Sequence, residues 1–156
     1  MKWVTREHAR VDRIACPWLI KKFVDTEAEF LFVPPEKVKG AAEAQGAIPF
    51  DVPGIELTHY KEEDRQFVSF DAIIKKFGLK DPALLELAKI VRGADAKIPD
   101  APPESVGLEA ASTGFRKNAK DDFENMELQF PLYDALYSYC RMKVEGAGGL
   151  EHSARV

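Results

Sequence analysis

Arg10, Asp12, Arg13 and Cys16 crowd together just ahead of Pro17. Two guanidinium forks beside the free backbone N–H groups of a helix start suit a tetrahedral dianion, so Arg10 and Arg13 are candidate ligand-binding residues for an oxyanion of that kind. The same side chains equally suit structural ion pairs that hold the segment against its neighbours. Proline fits the first position of a helix, which makes Cys16 the expected N-cap. A thiol there, beside Arg13, has its thiolate favoured by the helix dipole and the adjacent charge, so Cys16 is both a candidate oxyanion contact and the candidate catalytic thiol. Ile14, Ala15 and Trp18 surround it in sequence, and free cysteine is also among the most buried residue types, so inert packing is the competing account.

His59 is the one histidine placed in expected regular structure, and it is the candidate metal ligand or proton carrier. Asp51, Asp71 and Asp95 are its candidate co-ligands, with Glu56 and Glu63 nearby. One imidazole with several carboxylates suits a hard or borderline divalent ion, so a divalent metal is the candidate cofactor. The alternative is a hydrogen-bonded structural histidine at a sheet edge. Arg92 and Gly93 close an apolar helical stripe. Gly93 is expected to end that helix and Arg92 to satisfy its last carbonyls, unless Arg92 joins Asp95 near His59 as a ligand contact.

The elements that must position these residues divide the chain in two. Lys2 to Thr5, Glu29 to Val33, Ala47 to Val52 and Glu56 to Tyr60 carry the β-prone runs of the first half. In the fourth run, Leu57 and His59 share one face while Glu56 takes the other. A helix is expected from Pro17, with Trp18, Leu19, Ile20, Phe23 and Val24 inward. A second short helix follows Pro34 and Pro35 and ends at Gly46. Beyond Phe70 the period becomes helical. Asp71 to Phe77 is one helix, Pro82 to Val91 the next, and Glu104 to Lys117 a third, with Val106, Leu108, Ala111 and Phe115 inward. Phe123, Met126, Phe130, Tyr133, Tyr137 and Cys140 form a last helical stripe, which Pro131 should break or kink. The expected fold class is therefore mixed α/β: a small sheet of about four strands in the N-terminal half, packed by helices, and a helical C-terminal half. Residues 1–143 form one expected domain, and the glycine-rich 144–156 reads as a flexible tail.

Composition narrows the function classes. A formal net charge of −4 argues against nucleic acid as a partner of this chain. Two distant cysteines give neither a disulfide framework nor a cysteine-rich zinc site. No apolar run has the length of a membrane span or a secretory signal, which makes the cytoplasm the expected location. The charge runs Lys61 to Arg65 and Lys120 to Glu124 read as solvated surface. No phosphate-binding glycine loop, nucleophile elbow or HExxH is present.

Three stretches carry a resemblance: WVTREHARVDRIACPWLIKKFVD, then AEFLFVP with GAIPFDVPGIELTH, then DPALLELAKIVRGAD ahead of LYDALYSYC. Together they cover most of the chain, and they resemble the C-terminal domain family of the ChrB chromate-resistance proteins. The resemblance implies a link to chromate resistance and its regulation. Joined to the residue clusters, it gives the expectation of a chromate-response protein that binds an oxyanion or a metal ion as a sensing or accessory module. Two rivals stand beside it. One is a metal- or thiol-dependent enzyme acting on chromate. The other is a partner-binding module, with a homodimer built on the aromatic stripe of the last helix.

Overall fold

The computed structural model describes residues 1–146. Three strands form a parallel sheet in the order β2-β1-β3, with β1 (Lys2–Arg6) central, β2 (Glu29–Val33) on one side and β3 (Ile48–Pro49) on the other. Trp3 pairs with Phe30 and with Ile48, and Val4 with Leu31. Successive strand residues point to opposite faces, so Trp3 and Val4 enter different cores. Trp3 joins Phe30 and Phe50 in the large core beneath the helices, whereas Val4 packs with Val38, Ala47 and Val52. That second cluster is covered by α2 (Val38–Gln45), which stops at left-handed Gly46 as its sequence predicts.

Helix α1 spans Val11–Leu19 and runs on as a π-helical turn, Ile20–Val24. It starts six residues before the expected Pro17, which lies inside it. An interior proline costs about 3 kcal/mol. Burial outweighs that here, because every residue of α1 except Arg13 is buried. Cys16 is consequently in the body of the helix and not at its N-cap, a position held by Arg10.

The region Glu56 to Tyr60 is not a fourth strand. Its last residue instead opens a two-stranded antiparallel hairpin, β4 (Tyr60–Glu62) and β5 (Arg65–Phe67). Glu63 and Asp64 turn it with φ of 51° and 64°, the double left-handed turn that matches strand twist. Tyr60 stacks on Phe67 across the hairpin at 5.0 Å.

Helices α3 (Ser69–Lys76), α4 (Pro82–Ala96), α5 (Glu104–Asn118) and α6 (Asp122–Glu145) complete the fold. Asp81 caps α4 through the amides of Ala83 and Leu84, as the Asp-Pro opening predicts. Gly93 does not end that helix; left-handed Lys97 does. Gly93 serves close packing instead, since a Cβ there would lie 2.4 Å from Ser105 Oγ and 2.6 Å from Ala101 Cβ. In α5, Leu108 is buried but Val106 is 74% exposed, so its apolar character did not mark the inner face. Of the aromatic stripe of α6, Tyr133 and Cys140 are buried and Met126, Phe130 and Tyr137 pack on the large core, while Phe123 is 51% exposed. Pro131 neither breaks nor ends α6, and it sits on the exposed side. The helix continues to Glu145, past the Lys143 boundary; the rest of the expected tail, 147–156, lies outside the described residues. No helix among the described residues is long and apolar enough to cross a membrane.

Candidate functional site

Parallel strands gather loops at their carboxyl ends, and ligand sites of α/β sheets lie in the crevice those loops make. Arg6 closes β1, Arg10 precedes α1, and Asp12 and Arg13 occupy its first turn. Asp51 follows β3, and Asp95 comes from the last turn of α4. With Val11, His59 and Ala94 these residues line one hollow of about 200 Å³.

His59 lies in the loop before β4, and its imidazole is 40% exposed. Its Nε2 is 3.2 Å from Asp95 Oδ2, 3.3 Å from Asp51 Oδ1 and 3.5 Å from Asp12 Oδ2. These separations exceed the ~2.9 Å usual for an N–H···O bond. They match the about 3.4 Å between two donor atoms that share one tetrahedral ion at ~2.1 Å each. The donor atoms of Asp12, His59 and Asp95 all fall within 4.8 Å of one another.

The carboxylates have different supports. Asp12 is 1% exposed; its Oδ2 accepts the Ser69 amide at 2.8 Å and its Oδ1 the Phe70 amide at 3.2 Å. Asp51 Oδ1 accepts the Ser69 hydroxyl at 2.7 Å, and the Asp51 carbonyl accepts Arg6 Nε at 2.9 Å. Its own backbone is left-handed, with φ of 52°. Asp51 Oδ2 stands 3.4 Å from an Arg6 terminal nitrogen and 3.8 Å from Arg13 Nε.

Three like charges around one cation set the titration. Contacts with Asp12, Asp51 and Asp95 push the His59 imidazole up to about 12. Burial pushes the Asp12 carboxyl up to about 7, partly opposed by His59. Burial acts on Asp51 in the same sense, but bonds from His59 and Ser69 prevail and hold it below the ordinary carboxylate range. The imidazolium thus supplies the positive charge that faces the three carboxylates.

Of the sequence-selected residues, Arg10, Arg13, His59, Asp51 and Asp95 converge on this hollow. Asp71 and Arg92 do not. Arg92 donates to both Asp71 oxygens, at 2.7 and 3.0 Å, while Asp71 also accepts the Val68 amide at the start of α3. That bidentate pair ties α3 to α4 and leaves neither group for His59. Glu56 is likewise engaged, with Lys76 at 3.2 Å, and Glu63 sits in the hairpin turn. Cys16 lies one helical turn behind the site, fully buried, with its thiol 3.5 Å from Asp12 Oδ1. Burial, then the Asp12 charge, raises its pKa well above the ordinary thiol value, opposite to what a nucleophile needs.

Arg6 and Asp12 join the site without having been selected for it. Asp12 looked like a partner for its flanking arginines. Its spacing of four from Cys16 was the available signal, because it places both on one face of a helix begun at Val11.

The family model described as "ChrB, C-terminal domain" matches residues 3–140. Protein ChrB of Cupriavidus metallidurans (strain ATCC 43123 / DSM 2839 / NBRC 102507 / CH34) is 34% identical over 140 residues, which cover 88% of this chain. The chain spans 40% of that relative's length. No solved structure matches it.

Proposed function

Because the chain belongs to the family of ChrB C-terminal domains, we propose that it serves chromate resistance as a ligand-binding domain whose ligand is a divalent cation. Asp12, His59 and Asp95 are the proposed donors, with Asp51 beside them as a third carboxylate. The observation that carries this is the placement of His59 Nε2 at 3.2 to 3.5 Å from one oxygen of each of three carboxylates brought by three separate segments. One imidazole among hard oxygen donors favours zinc or manganese over the softer ions that thiolates select. The cysteine-based alternative is weakened by the burial of both thiols.

The test is metal stoichiometry. Full chain stripped with chelator, reloaded with zinc or manganese and passed through a desalting column should retain close to one ion per chain by elemental analysis. His59→Ala and Asp95→Asn should each lose it while keeping the helical circular dichroism of the unaltered protein. Retention of neither metal by the unaltered chain would overturn the proposal.

A further inference from the structure

Helix α6 carries a second apolar stripe, largely outside the core. Leu128, Leu132, Ala135, Tyr139 and Met142 follow one another at spacings of four, three, four and three, the seam repeat of helices that pair. Leu128, Tyr139 and Met142 are 40%, 43% and 64% exposed, Ala135 is exposed and Leu132 is half-buried. From Leu128 to Met142 the stripe is about 21 Å long. Apolar side chains exposed singly need no explanation, but a continuous row along one helix face marks a contact surface.

This face is complementary to itself when two copies of α6 run antiparallel about a two-fold axis at Ala135. Leu128 and Met142 stand seven residues either side of Ala135 and so lie opposite one another across the pair, and Leu132 lies opposite Tyr139 to within one residue. The smallest side chain of the row marks the axis, where two backbones come closest. Tyr139 is already held, because its hydroxyl donates to Glu104 Oε2 at 2.6 Å, so its ring gives up little freedom on docking. That bond and the one from Ser112 to Gln129 set α5 antiparallel to α6, with Gly107 level with Ala135. Gly107 is exposed, and a Cβ there would meet nothing within 4 Å, so packing among the described residues does not require glycine. Bare backbone at that level costs the helix about 1 kcal/mol and leaves room for a close approach from outside.

Charge selects the direction. The first half of α6 holds Asp122, Glu124 and Glu127 and no base, whereas its bases, Arg141 and Lys143, lie in the last two turns. Parallel pairing would set acids against acids and align the helix dipoles unfavourably. Antiparallel pairing brings Glu127 to the level of Lys143, since the two stand eight residues either side of Ala135. Both are exposed, and neither has an ion-pair partner among the described residues.

We propose that this face of α6 is the contact between two copies of the chain, an antiparallel helix pair centred on Ala135. The inference is independent of the cation assignment. One helix pair of this length is small beside the ~1,600 Å² of a standard interface, so the dimer belongs to the weak, micromolar class.

Sedimentation velocity of the full chain across the micromolar range should show a monomer–dimer equilibrium. Ala135→Glu, which sets two like charges at the axis, should weaken it at least about tenfold while keeping the circular dichroism of the unaltered protein. Cysteine cross-linking reads the direction, because Cys16 and Cys140 are buried. On mild oxidation Ala135→Cys should link to itself. Leu128→Cys should not, but should link to Met142→Cys in an equimolar mixture. A monomer throughout the range would overturn the proposal and leave the face to a different protein. A dimer unaffected by Ala135→Glu would overturn the assignment to this face. Leu128→Cys linking to itself, with no link formed in the mixture, would overturn the antiparallel direction.

Discussion

Asp12 reaches 57 residues along the chain to accept the Ser69 amide at 2.8 Å. With the Phe70 amide bound to its other oxygen, it caps α3 from a different helix, because the α3 N-cap residue, Val68, has no polar side chain to do so. The carboxylate that faces His59 is therefore also a structural joint. Asp12→Ala should strand two buried amides and lower stability by about 2–4 kcal/mol, more than an ordinary cap loss. Asp12→Asn, which keeps one acceptor oxygen, should lose about half of that. Urea unfolding of both variants decides it; a loss below about 0.5 kcal/mol in Asp12→Ala would show that α3 needs no such cap.

Metal affinity should depend steeply on pH. In the free protein His59 holds its proton up to about 12, and Asp12 holds one below about 7. A coordinated cation displaces both, so binding releases protons and affinity rises with pH. Near pH 8 the gain should be about tenfold per pH unit from His59 alone, and steeper below 7 as Asp12 adds its share. Titrations in two buffers of different ionisation heat count the protons; a heat independent of buffer would contradict this.

Stability of the metal-free protein runs the other way. The folded-state pKa of His59 is raised above its ordinary 6.5, so its contribution is complete below about 6.5 and is lost as pH climbs toward 12. Asp12, raised from 3.8, loses its contribution over the range up to about 7. Denaturation midpoints should therefore fall between pH 6.5 and 9, and His59→Gln should flatten that slope. A midpoint that rises over this interval in the unaltered protein would exclude the assigned protonation.

Both thiols should resist modification in the native state. Cys16 is fully buried with a raised pKa, and burial pushes Cys140 up to about 11. A colourless-to-yellow disulfide reagent should report almost no free thiol until denaturant is added, then two per chain. Rapid native labelling of Cys16 would reopen a thiol role.

Gly93→Ala should be costly although alanine favours helices. The added Cβ would meet Ser105 Oγ, which donates to the Ile90 carbonyl and pins α5 to α4. Overpacking of this kind costs about 1–3 kcal/mol. Because Asp95 is two residues further along the same helix, metal retention should also weaken. Thermal unfolding with the metal assay checks both, and an unchanged melting temperature would show that the two helices can part freely.

Much of the architecture was written in local patterns. The Asp81-Pro82 opening of α4, Gly46 at the end of α2 and the stripe of α6 each express a rule that needs no tertiary context. The failures share a cause, namely tertiary contact overriding local preference. Pro17 is carried inside its helix by burial that the sequence does not display, and Pro131 lies on the exposed side of a helix whose opposite face packs on the core. The Glu63-Asp64 turn lacks the glycine or asparagine that marks most tight hairpins. At the site, His59, Asp51 and Asp95 were legible by residue type. Their separation from Asp71 and Arg92 was not, since carboxylates and guanidinium groups look alike until their partners are known.

Asp51 is subject to two independent filters. Its left-handed backbone is comfortable for glycine, asparagine and aspartate and strained for nearly everything else. Its place between Arg6 and His59 calls for an anion. Glycine passes the first filter and fails the second, while glutamate does the reverse. Aspartate meets both demands at the least strain, so a chain that replaces it gives up the charge or bears the kind of backbone strain that Glu63 and Lys97 carry elsewhere in this fold.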